Sequence, residues 1–366
     1  MKFSVDRESL LRPIQQVSGV VERRQALPIL QNLLLTIQNG KLLITGTDLE
    51  IELKTYVEVS VEEEGSVTVP ARKLLDICKE IPEQAKIDFS SKQNRLELKS
   101  GRFRSTLSTL PADDFPTFDE SEPNFAVEAD AKDFKLLLDK TSFAMAHQDV
   151  RFFLNGMLIE SGQNFLRAVA TDGHRLALTN IQQAGLNEKE VQVILPRKAV
   201  LELQSLLPEL GSSVKIEFSQ SNLKVLSKSY TFATKLVDGK FPDYQRVIPK
   251  EGSKVVLAEK DELRHALNRT SILSNEKFRG IRFNLTSAQL ELSANNPEQE
   301  EAEESLSVNY EGEELQIGFN VSYLQDVLGV IDNEKVKITL HDSNSSAILE
   351  DPSADQSLYV VMPMKL

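Results

Sequence analysis

The chain repeats itself at an interval of about 124 residues, and this repetition restricts its fold more than any short motif does. Three polar pairs mark the interval, namely Thr47-Asp48, Thr171-Asp172 and Asn295-Asn296. Three copies of about 122 residues account for all 366 residues. A copy of that length lies in the usual size range of a domain with its own core. The repeat predicts three similar tandem domains: a first copy (1–122), a central copy (123–250) and a third copy (251–366).

Each copy carries two helical patterns separated by short runs with the two-residue period of strands. The predicted helices cover about residues 6–17, 71–81, 131–145, 197–207, 259–273 and 321–331. Pro13 removes one backbone donor, so a kink or a late helix start is expected there. The strands follow one another too closely for helical crossovers. The predicted class is therefore α+β, with two helices and antiparallel sheets in each copy.

Composition and charge narrow the class of protein. Cys78 is the only cysteine, which excludes a disulfide within the chain and fits a reducing cytoplasm. No signal-like start and no run long enough for a membrane span are found, so we expect a soluble, cytoplasmic protein. The formal charge of −13 is concentrated in the third copy, which has 10 basic and 21 acidic residues. A protein that grips nucleic acid over its surface would be basic, whereas one that surrounds it can keep a negative exterior.

Motifs for catalysis or cofactor binding are missing from the sequence. The four histidines lack metal-ligand spacing, and neither a phosphate-binding loop nor a nucleophile elbow occurs. Asp48 and Asp172 could hold a divalent cation in a metal-dependent hydrolase, but the third copy has Asn296 at this position. A side chain that closes a turn after a strand is the favoured interpretation. We therefore expect neither an enzyme nor a cofactor.

Longer motifs run through all three copies. They include Leu27-Pro28-Ile29-Leu30, Val69-Pro70-Ala71-Arg72-Lys73, Ala170-Thr171-Asp172-Gly173-His174-Arg175-Leu176, Phe241-Pro242-Asp243-Tyr244, Ser274-Asn275-Glu276-Lys277-Phe278 and Tyr359-Val360-Val361-Met362-Pro363-Met364. Together they resemble the bacterial sliding clamps, the beta subunits of DNA polymerase III. The resemblance implies three DNA-clamp domains per chain in a ring-shaped homodimer that encircles duplex DNA, slides along it and tethers the replicative polymerase. Such a protein is a non-catalytic processivity factor; the alternative is a repeat scaffold that binds only proteins.

Domain size independently favours a dimer. A domain of about 122 residues has a radius of gyration near ~14 Å and a width of roughly 35 Å. Three such domains in a closed triangle leave almost no hole. Six leave an opening of roughly 35 Å, wide enough for a duplex about 20 Å across. One chain supplies three domains, so two chains are needed.

The two terminal copies differ in the charge of their predicted contact surfaces, as head-to-tail closure requires. Basic residues mark the first copy: Lys73, Arg95, Arg102 and Arg104. Acidic residues mark the third copy: Glu298, Glu300, Glu301 and Glu304. The resemblance implies that Leu107, Ile272 and Leu273 form an apolar centre of the contact. A solvated face is the alternative for any single charge run. Opposite signs in the two copies favour an interface whose register and orientation these charges fix.

The resemblance also implies where DNA binds. It assigns DNA contacts to Arg24, Arg72, Gln148, Phe152 and Phe153. Relatives can carry tyrosines in place of the two phenylalanines, so a hydroxyl contact is lost here. Helix cations are expected to line the hole, namely Arg7, Arg12, Arg72, Lys132, Lys135, Arg197, Lys198, Lys260 and Arg264. Phosphate contacts without base readout would let the ring slide.

A groove for short partner peptides is the second site that the resemblance implies. Polymerase subunits and the clamp loader would bind there. The matching residues are Leu154, Thr171, Gly173, His174, Arg175, Leu176, Pro242, Arg246, Val247, Phe278, Asn320, Tyr323, Ser346, Val360, Val361, Met362, Pro363 and Met364. Methionines fit a soft wall that accepts differing peptides, although this segment could equally be a last core strand. Asn344 stands where the family carries an apolar residue.

Overall fold

One order of strands and helices occurs three times in the computed structural model, which describes residues 1–22, 27–118, 122–182, 190–250 and 252–365. The first-copy strands are β1 (Lys2–Asp6), β2 (Asn32–Gln38), β3 (Lys41–Thr47), β4 (Ile51–Glu58), β5 (Ser60–Glu63), β6 (Gly65–Pro70), β7 (Lys86–Lys92), β8 (Arg95–Ser100) and β9 (Phe103–Ser108). The central-copy strands are β10 (Phe125–Asp130), β11 (Gly156–Ser161), β12 (Phe165–Thr171), β13 (Arg175–Gln182), β14 (Val191–Pro196), β15 (Ser213–Phe218), β16 (Asn222–Leu226) and β17 (Tyr230–Lys235). The third-copy strands are β18 (Lys254–Glu259), β19 (Gly280–Thr286), β20 (Gln289–Asn295), β21 (Glu301–Ser307), β22 (Leu315–Asn320), β23 (Lys335–Leu340), β24 (Ala347–Glu350) and β25 (Ser357–Val361).

The helices lie close to their predicted positions. They are α1 (Arg7–Val17), α2 (Ala71–Glu80), α3 (Ala131–Thr141), α4 (Arg197–Leu206), α5 (Lys260–Thr270) and α6 (Val321–Val330). The predicted late start at Pro13 is wrong, because α1 begins at Arg7 and buries Leu10, Ile14 and Val17 on one face. Within the described residues, none of the helices is long and apolar enough to cross a membrane.

Two helices end earlier than predicted because the chain tightens into a 3-10 turn. After α3 the turn is Ser142–Ala144, and after α5 it is Ser271–Leu273. The Thr141 hydroxyl donates to the Leu137 carbonyl at 2.6 Å, and the Ser271 hydroxyl donates to the Asn268 carbonyl at 3.0 Å. Hydroxyl bonds of this kind compete with regular helical bonds.

Every copy contributes two antiparallel sheets with the same strand order. In the first copy the orders are β4-β3-β2-β6 and β1-β7-β8-β9, with β5 added beside β1. The central copy repeats them as β13-β12-β11-β14 and β10-β15-β16-β17. The third copy repeats them as β21-β20-β19-β22 and β18-β23-β24-β25. The predicted antiparallel α+β class is confirmed.

Sheets of successive copies join through one strand pair at each boundary. Strand β17 of the central copy pairs with β4 of the first copy, and β25 of the third copy pairs with β13 of the central copy. Each joint turns two four-stranded sheets into one eight-stranded sheet. In both joints the last strand of a copy pairs with the fourth strand of the preceding copy.

Because the copies share sheets, the compact units of the chain do not follow the copy boundaries. One unit consists of Met1–Lys135 and Leu201–Leu236, and the other of Leu136–Val200 and Val237–Leu366. The first unit contains the β4–β17 joint and the second contains the β13–β25 joint. The central copy therefore contributes one of its two sheets to each unit.

Candidate partner-binding cleft and nucleic-acid contacts

A buried apolar cluster contains Leu176 and Val360, two of the residues predicted for the peptide groove. Its members are Leu158, Val169, Leu176, Ile194, Phe241, Tyr244 and Val360, with Phe153, Leu178, Val237, Ile248 and Leu358 packed against them. The β13–β25 joint brings the central and third copies together here, because Leu176 lies directly opposite Val360. We call the surface above this cluster the cleft. Its floor is shared by β13 and β25, two strands that are far apart in sequence.

The two ends of the cleft are held by backbone hydrogen bonds. On one side a 3-10 turn, Tyr244–Arg246, ends where the Val247 amide donates to the Tyr244 carbonyl at 3.1 Å. On the other side the Met362 amide donates to the His174 carbonyl at 2.9 Å. Val247 is 42% exposed and Met362 is 38% exposed, so both offer apolar surface beside the buried cluster. The soft, peptide-accepting wall stays a prediction for the C-terminal segment.

Arg175 organises the polar half of the cleft. Its guanidinium donates to the Asp172 carboxylate at 3.1 Å and to the Phe143 carbonyl at 2.8 Å, and it also pairs with Asp326. It lies 4.6 Å from the centre of the Tyr323 ring, a cation–π contact. The His174 ring stacks on the Tyr323 ring, and the two ring centres lie 6.3 Å apart. The predicted residues His174, Arg175 and Tyr323 therefore converge.

The remaining predicted groove residues border this polar half. Asn320 caps α6 by accepting from the Ser322 amide at 2.9 Å, and its amide group donates to the Phe278 carbonyl at 3.3 Å. Phe278 is 55% exposed. The Met364 amide donates to the Gly318 carbonyl at 2.9 Å, which fixes the end of the chain. Leu154, Thr171 and Val361 are buried, whereas Pro242, Arg246, Gly173, Ser346 and Pro363 are exposed or half-buried.

Asn344 lies in an exposed turn. Its backbone amide donates to the Asp342 carboxylate at 2.8 Å, and its side-chain amide donates to the Ser343 hydroxyl at 3.3 Å. Those hydrogen bonds, and not apolar packing, hold the residue. The polar substitution predicted from the family comparison is accommodated by a local turn.

Polar residues behind the cluster hold Tyr244. Its hydroxyl donates to the Glu160 carboxylate at 2.5 Å and accepts from the Arg167 guanidinium at 2.9 Å. The Gln192 side chain donates to the other Glu160 oxygen at 2.6 Å. Burial first, and then the hydrogen bond to Glu160, raises the pKa of the Tyr244 phenol above its ordinary value. The phenol therefore stays protonated and acts as the donor.

The predicted DNA-contacting residues of the central copy lie on one loop. Arg151 donates to Asp149 through its side chain and backbone, which lowers the pKa of the Asp149 carboxyl to about 2. Gln148 has a positive φ of 57° and is exposed. Phe152 is 56% exposed, whereas the Phe153 ring packs on the cleft cluster. The loop thus presents Gln148 and Phe152 to solvent.

Of the other predicted cations, Arg72 is exposed on α2, and Arg24 lies outside the described residues. Two lining candidates have a different role. Arg7 donates to the Cys78 and Lys79 carbonyls at 3.2 and 3.3 Å, and Lys260 donates to the Ile331 carbonyl at 3.1 Å. Cations at a helix C-terminus satisfy its free carbonyls and oppose its dipole. We therefore remove both from the lining set.

Asp48 and Asp172 close equivalent turns. The Asp48 carboxylate accepts from the Glu50 and Ile51 amides at 2.9 and 2.7 Å. Asp172 accepts from the His174 and Arg175 amides at 2.9 and 3.0 Å. The predicted structural role of both aspartates is confirmed. Among the residues that the structure describes, no group of three or more His, Cys, Asp or Glu side chains could hold a metal ion.

The predicted interface residues lie on or near two sheet edges. Arg95, Arg102 and Arg104 are exposed on the β8–β9 hairpin, Lys73 is exposed on α2, and Leu107 is 7% exposed. On the third copy, Ile272 is 76% exposed and Leu273 is half-buried. Glu298, Glu300 and Glu301 are exposed, whereas Glu304 pairs with Arg269 at 2.5 Å. Basic and acidic surfaces therefore occupy the edges β9 and β21.

Sequence reasoning missed the residues that position the cleft. Glu160, Arg167 and Asp326 belong to no motif, and their hydrogen bonds to Tyr244 and Arg175 span 77 to 151 positions. Tyr244 did occur in the motif Phe241-Pro242-Asp243-Tyr244, but its role depends on these distant partners.

Known proteins share this architecture of three clamp domains. The DNA polymerase III beta subunit family matches residues 1–119 with its N-terminal domain, 128–243 with its central domain and 245–365 with its C-terminal domain. The Beta sliding clamps of Pseudomonas putida and Escherichia coli are 54% and 48% identical, each over 100% of both chains. The crystal structure of the DNA polymerase III subunit beta from Pseudomonas aeruginosa has a TM-score of 0.98, at 52% identity and 100% coverage of both chains.

The chain belongs to the DNA polymerase III beta subunit family. The predicted clamp fold is confirmed, as is the function of a non-catalytic processivity factor. The alternative of a metal-dependent hydrolase is therefore wrong.

Proposed function

We propose that this processivity factor works as a head-to-tail homodimer that encircles duplex DNA and recruits polymerase subunits and the clamp loader through peptides bound in the cleft. Its domains would end near residues 122 and 250, and it would act in the cytoplasm, where the buried thiol of Cys78 stays reduced. One observation carries the proposal: the rule by which the copies are joined.

The joints predict how a second chain would bind. The last strand of a copy pairs with the fourth strand of the preceding copy, as β17 does with β4 and β25 with β13. Within the described residues, β9 and β21 end their sheets without such a partner. Strand β9 is the last strand of the first copy, and β21 is the fourth strand of the third copy. The same rule pairs β21 of one chain with β9 of another.

Charge supports this pairing. Arg104 on the edge strand β9 lies directly opposite Lys99 on β8, whose other cross-strand neighbour is Asp88 on β7. Like charges in that position repel, so an acidic neighbour would stabilise the edge. Strand β21 presents Glu301 and Glu303 on its exposed face. Pairing would also satisfy backbone groups that exposed edges leave free for unwanted association.

Sliding requires that contacts to DNA carry no sequence information. The candidates Arg24, Arg72, Gln148, Phe152 and Phe153 contain two cations, and phosphate contacts by cations do not depend on sequence. Phenylalanine at the last two positions could contact a base or sugar only by packing, because it has no hydroxyl. We therefore propose that the cations contact the DNA phosphates and that the exposed ring of Phe152 packs against the DNA.

The cleft combines an apolar floor with a polar half, which suits an extended peptide with apolar anchors. Sliding clamps from Pseudomonas aeruginosa and Bartonella birtlesii have been crystallised with bound griselimycin, and they are 52% and 36% identical to this chain. We propose that griselimycin occupies the cleft here and competes with partner peptides.

Loading onto a nicked circular plasmid tests the proposed function most directly. The protein, loaded by a clamp loader, should stay on the circle in high salt and leave after the plasmid is cut, because a linked ring escapes only at an end. Uncut circles serve as the control. Loss from the intact circle in high salt would contradict the ring and favour a scaffold that binds only proteins.

Ile272→Asp tests the joint between chains. Ile272 is 76% exposed, so the change should leave the fold intact while placing a charge in the proposed apolar contact. We expect light scattering to show monomers at concentrations where the parent chain is dimeric. Val255→Asp, at another exposed apolar position on β18, should remain dimeric. A dimeric Ile272→Asp variant would place the interface elsewhere.

A further inference from the structure

We propose that Tyr244 is a positioning residue: Glu160 and Arg167 hold its hydroxyl, so that its ring and backbone fix the wall of the cleft that carries Arg246 and Val247. The inference rests on the proposed function, in which the cleft binds peptides. Tyr244 would act through that wall, and it is 5% exposed.

The polar end of Tyr244 is attached to a rigid part of the sheet. Glu160 on β11 lies directly opposite Arg167 on β12 and directly opposite Gln192 on β14. These residues form a row across three hydrogen-bonded strands. Glu160 is 7% exposed, and Arg167 lies 3.5 Å from its carboxylate. The buried carboxylate has a cation and two hydrogen-bond donors, which compensate its charge and restrict its position, while the Nε atom of Arg167 has no hydrogen-bond partner among the described residues.

Arg167 is itself fixed by a second contact. Its guanidinium carbon lies 4.5 Å from the centre of the Phe165 ring. The same guanidinium donates to the Tyr244 hydroxyl at 2.9 Å. A planar guanidinium that is stacked and hydrogen-bonded has little freedom to turn, which extends the rigidity of the sheet to the phenol.

The apolar end of Tyr244 reaches the cleft. Its ring belongs to the same buried cluster as Leu176 and Val360, which line the floor. Its carbonyl accepts from the Val247 amide at 3.1 Å, so the turn that begins at Tyr244 ends at an exposed cleft residue. Arg246 in this turn has a side chain that is 84% exposed and pairs with Asp243 at 2.7 Å. Through its hydroxyl, the Tyr244 side chain links this wall to the Glu160 row.

The consequence for binding is preorganisation. A wall that is already in place loses less freedom when a ligand binds, and that saving appears as affinity. Without the hydroxyl, the ring keeps its packing but loses its two polar partners. The wall would then occupy several positions, and only some of them would be competent to bind.

Griselimycin binding to Tyr244→Phe tests the inference in the full-length protein. We expect affinity to fall about fivefold, mainly through faster dissociation. The matched control is Tyr310→Phe. This change removes a buried hydroxyl that donates to the Glu313 carbonyl at 2.5 Å, and Tyr310 is not among the cleft residues. That control should bind like the parent chain. Glu160→Gln, which keeps the shape of the side chain, should weaken binding in the same direction and serves if Tyr244→Phe does not fold.

A double-mutant cycle separates positioning from a general loss of stability. If Tyr244 acts through the wall, Val247→Ala should cost less affinity in the Tyr244→Phe background than alone, by a factor of at least about two. Additive effects, or parent-like affinity of Tyr244→Phe and Glu160→Gln, would overturn the inference. Failure of the parent chain to bind griselimycin would instead contradict the proposed use of the cleft.

Discussion

The same turn closes a strand in the first and central copies, yet only the central one contributes to the cleft. In both, a threonine hydroxyl donates to a carbonyl four residues later, from Thr47 to Ile51 at 2.7 Å and from Thr171 to Arg175 at 2.6 Å. The residue that ends the turn differs. Ile51 is fully buried, whereas Arg175 reaches Asp172, Asp326 and Tyr323. The repeated backbone is a scaffold, and function depends on the side chains that one copy adds to it.

Removing the turn-closing carboxylate should give the largest difference between the two copies. Asp172→Ala and Asp48→Ala each leave two backbone amides without their acceptor, at a cost of about 1–3 kcal/mol in the free energy of unfolding. Only Asp172→Ala also releases Arg175, so we expect it alone to lower griselimycin affinity, by about tenfold. Urea unfolding and titration measure the two effects. Equal affinities would show that the turns are functionally equivalent.

Arg175→Lys should have the next largest effect. A lysine cannot donate to Asp172, Asp326 and the Phe143 carbonyl together, and it loses the planar contact with Tyr323. Affinity for griselimycin should fall about fivefold. Arg104→Lys on β9, in the first copy and outside the predicted cleft set, is the control and should bind normally. Parent-like binding by Arg175→Lys would mean that charge alone suffices there.

Substitutions at the turn residue with a positive φ should change stability by a smaller amount. The change should be a loss in the central copy and a gain in the first copy. Gly173 has a φ of 88°, and a Cβ there would lie 3.1 Å from the Arg151 guanidinium. Gly173→Ala should therefore destabilise the chain by about 1 kcal/mol. Leu49 adopts a φ of 79° and is 37% exposed, so Leu49→Gly should relieve strain. Thermal unfolding would contradict this if both changes shifted the midpoint downward equally.

The turn of the third copy should show the smallest effect. Asn296 accepts from the Glu300 amide at 2.9 Å and donates to the Glu300 carboxylate at 2.6 Å, in an exposed loop. Asn296→Ala should therefore cost only about 0.5–1 kcal/mol. Griselimycin affinity should not change. A loss as large as that of Asp48→Ala in urea unfolding would show that this turn is as critical as the buried one.

The sequence allowed the local parts of this architecture to be predicted. Apolar spacing placed α1, and the alternation around Ile216 and Leu290 placed strands in β15 and β20. The aspartate turns followed from the chemistry of a short polar side chain after a strand. Contacts of high sequence separation could not be read in this way. Arg7, for example, was predicted to line a hole, but its guanidinium donates to a carbonyl at the end of α2. Nothing in the sequence shows that the end of α2 lies beside the start of α1.

The resemblance predicted which residues line the cleft, but it did not predict the residues that hold them in place. Glu160 and Arg167 meet because two strands pair in one register, and Tyr244 reaches them from 77 and 84 positions away. A shift of either strand by one residue would turn these side chains to the other face. Register depends on the whole sheet, which is why the sequence alone did not disclose this network.

Strands β9 and β21, which end their sheets within the described residues, have a consequence for any assembly built from this chain. Fusing a fourth copy to either end would cover the free edge of one such strand. The added copy would then present an equivalent free strand edge of its own. The number of domains that complete a circle is thus set by the angle between neighbouring domains at each joint, because each added copy would again present a strand that can be paired.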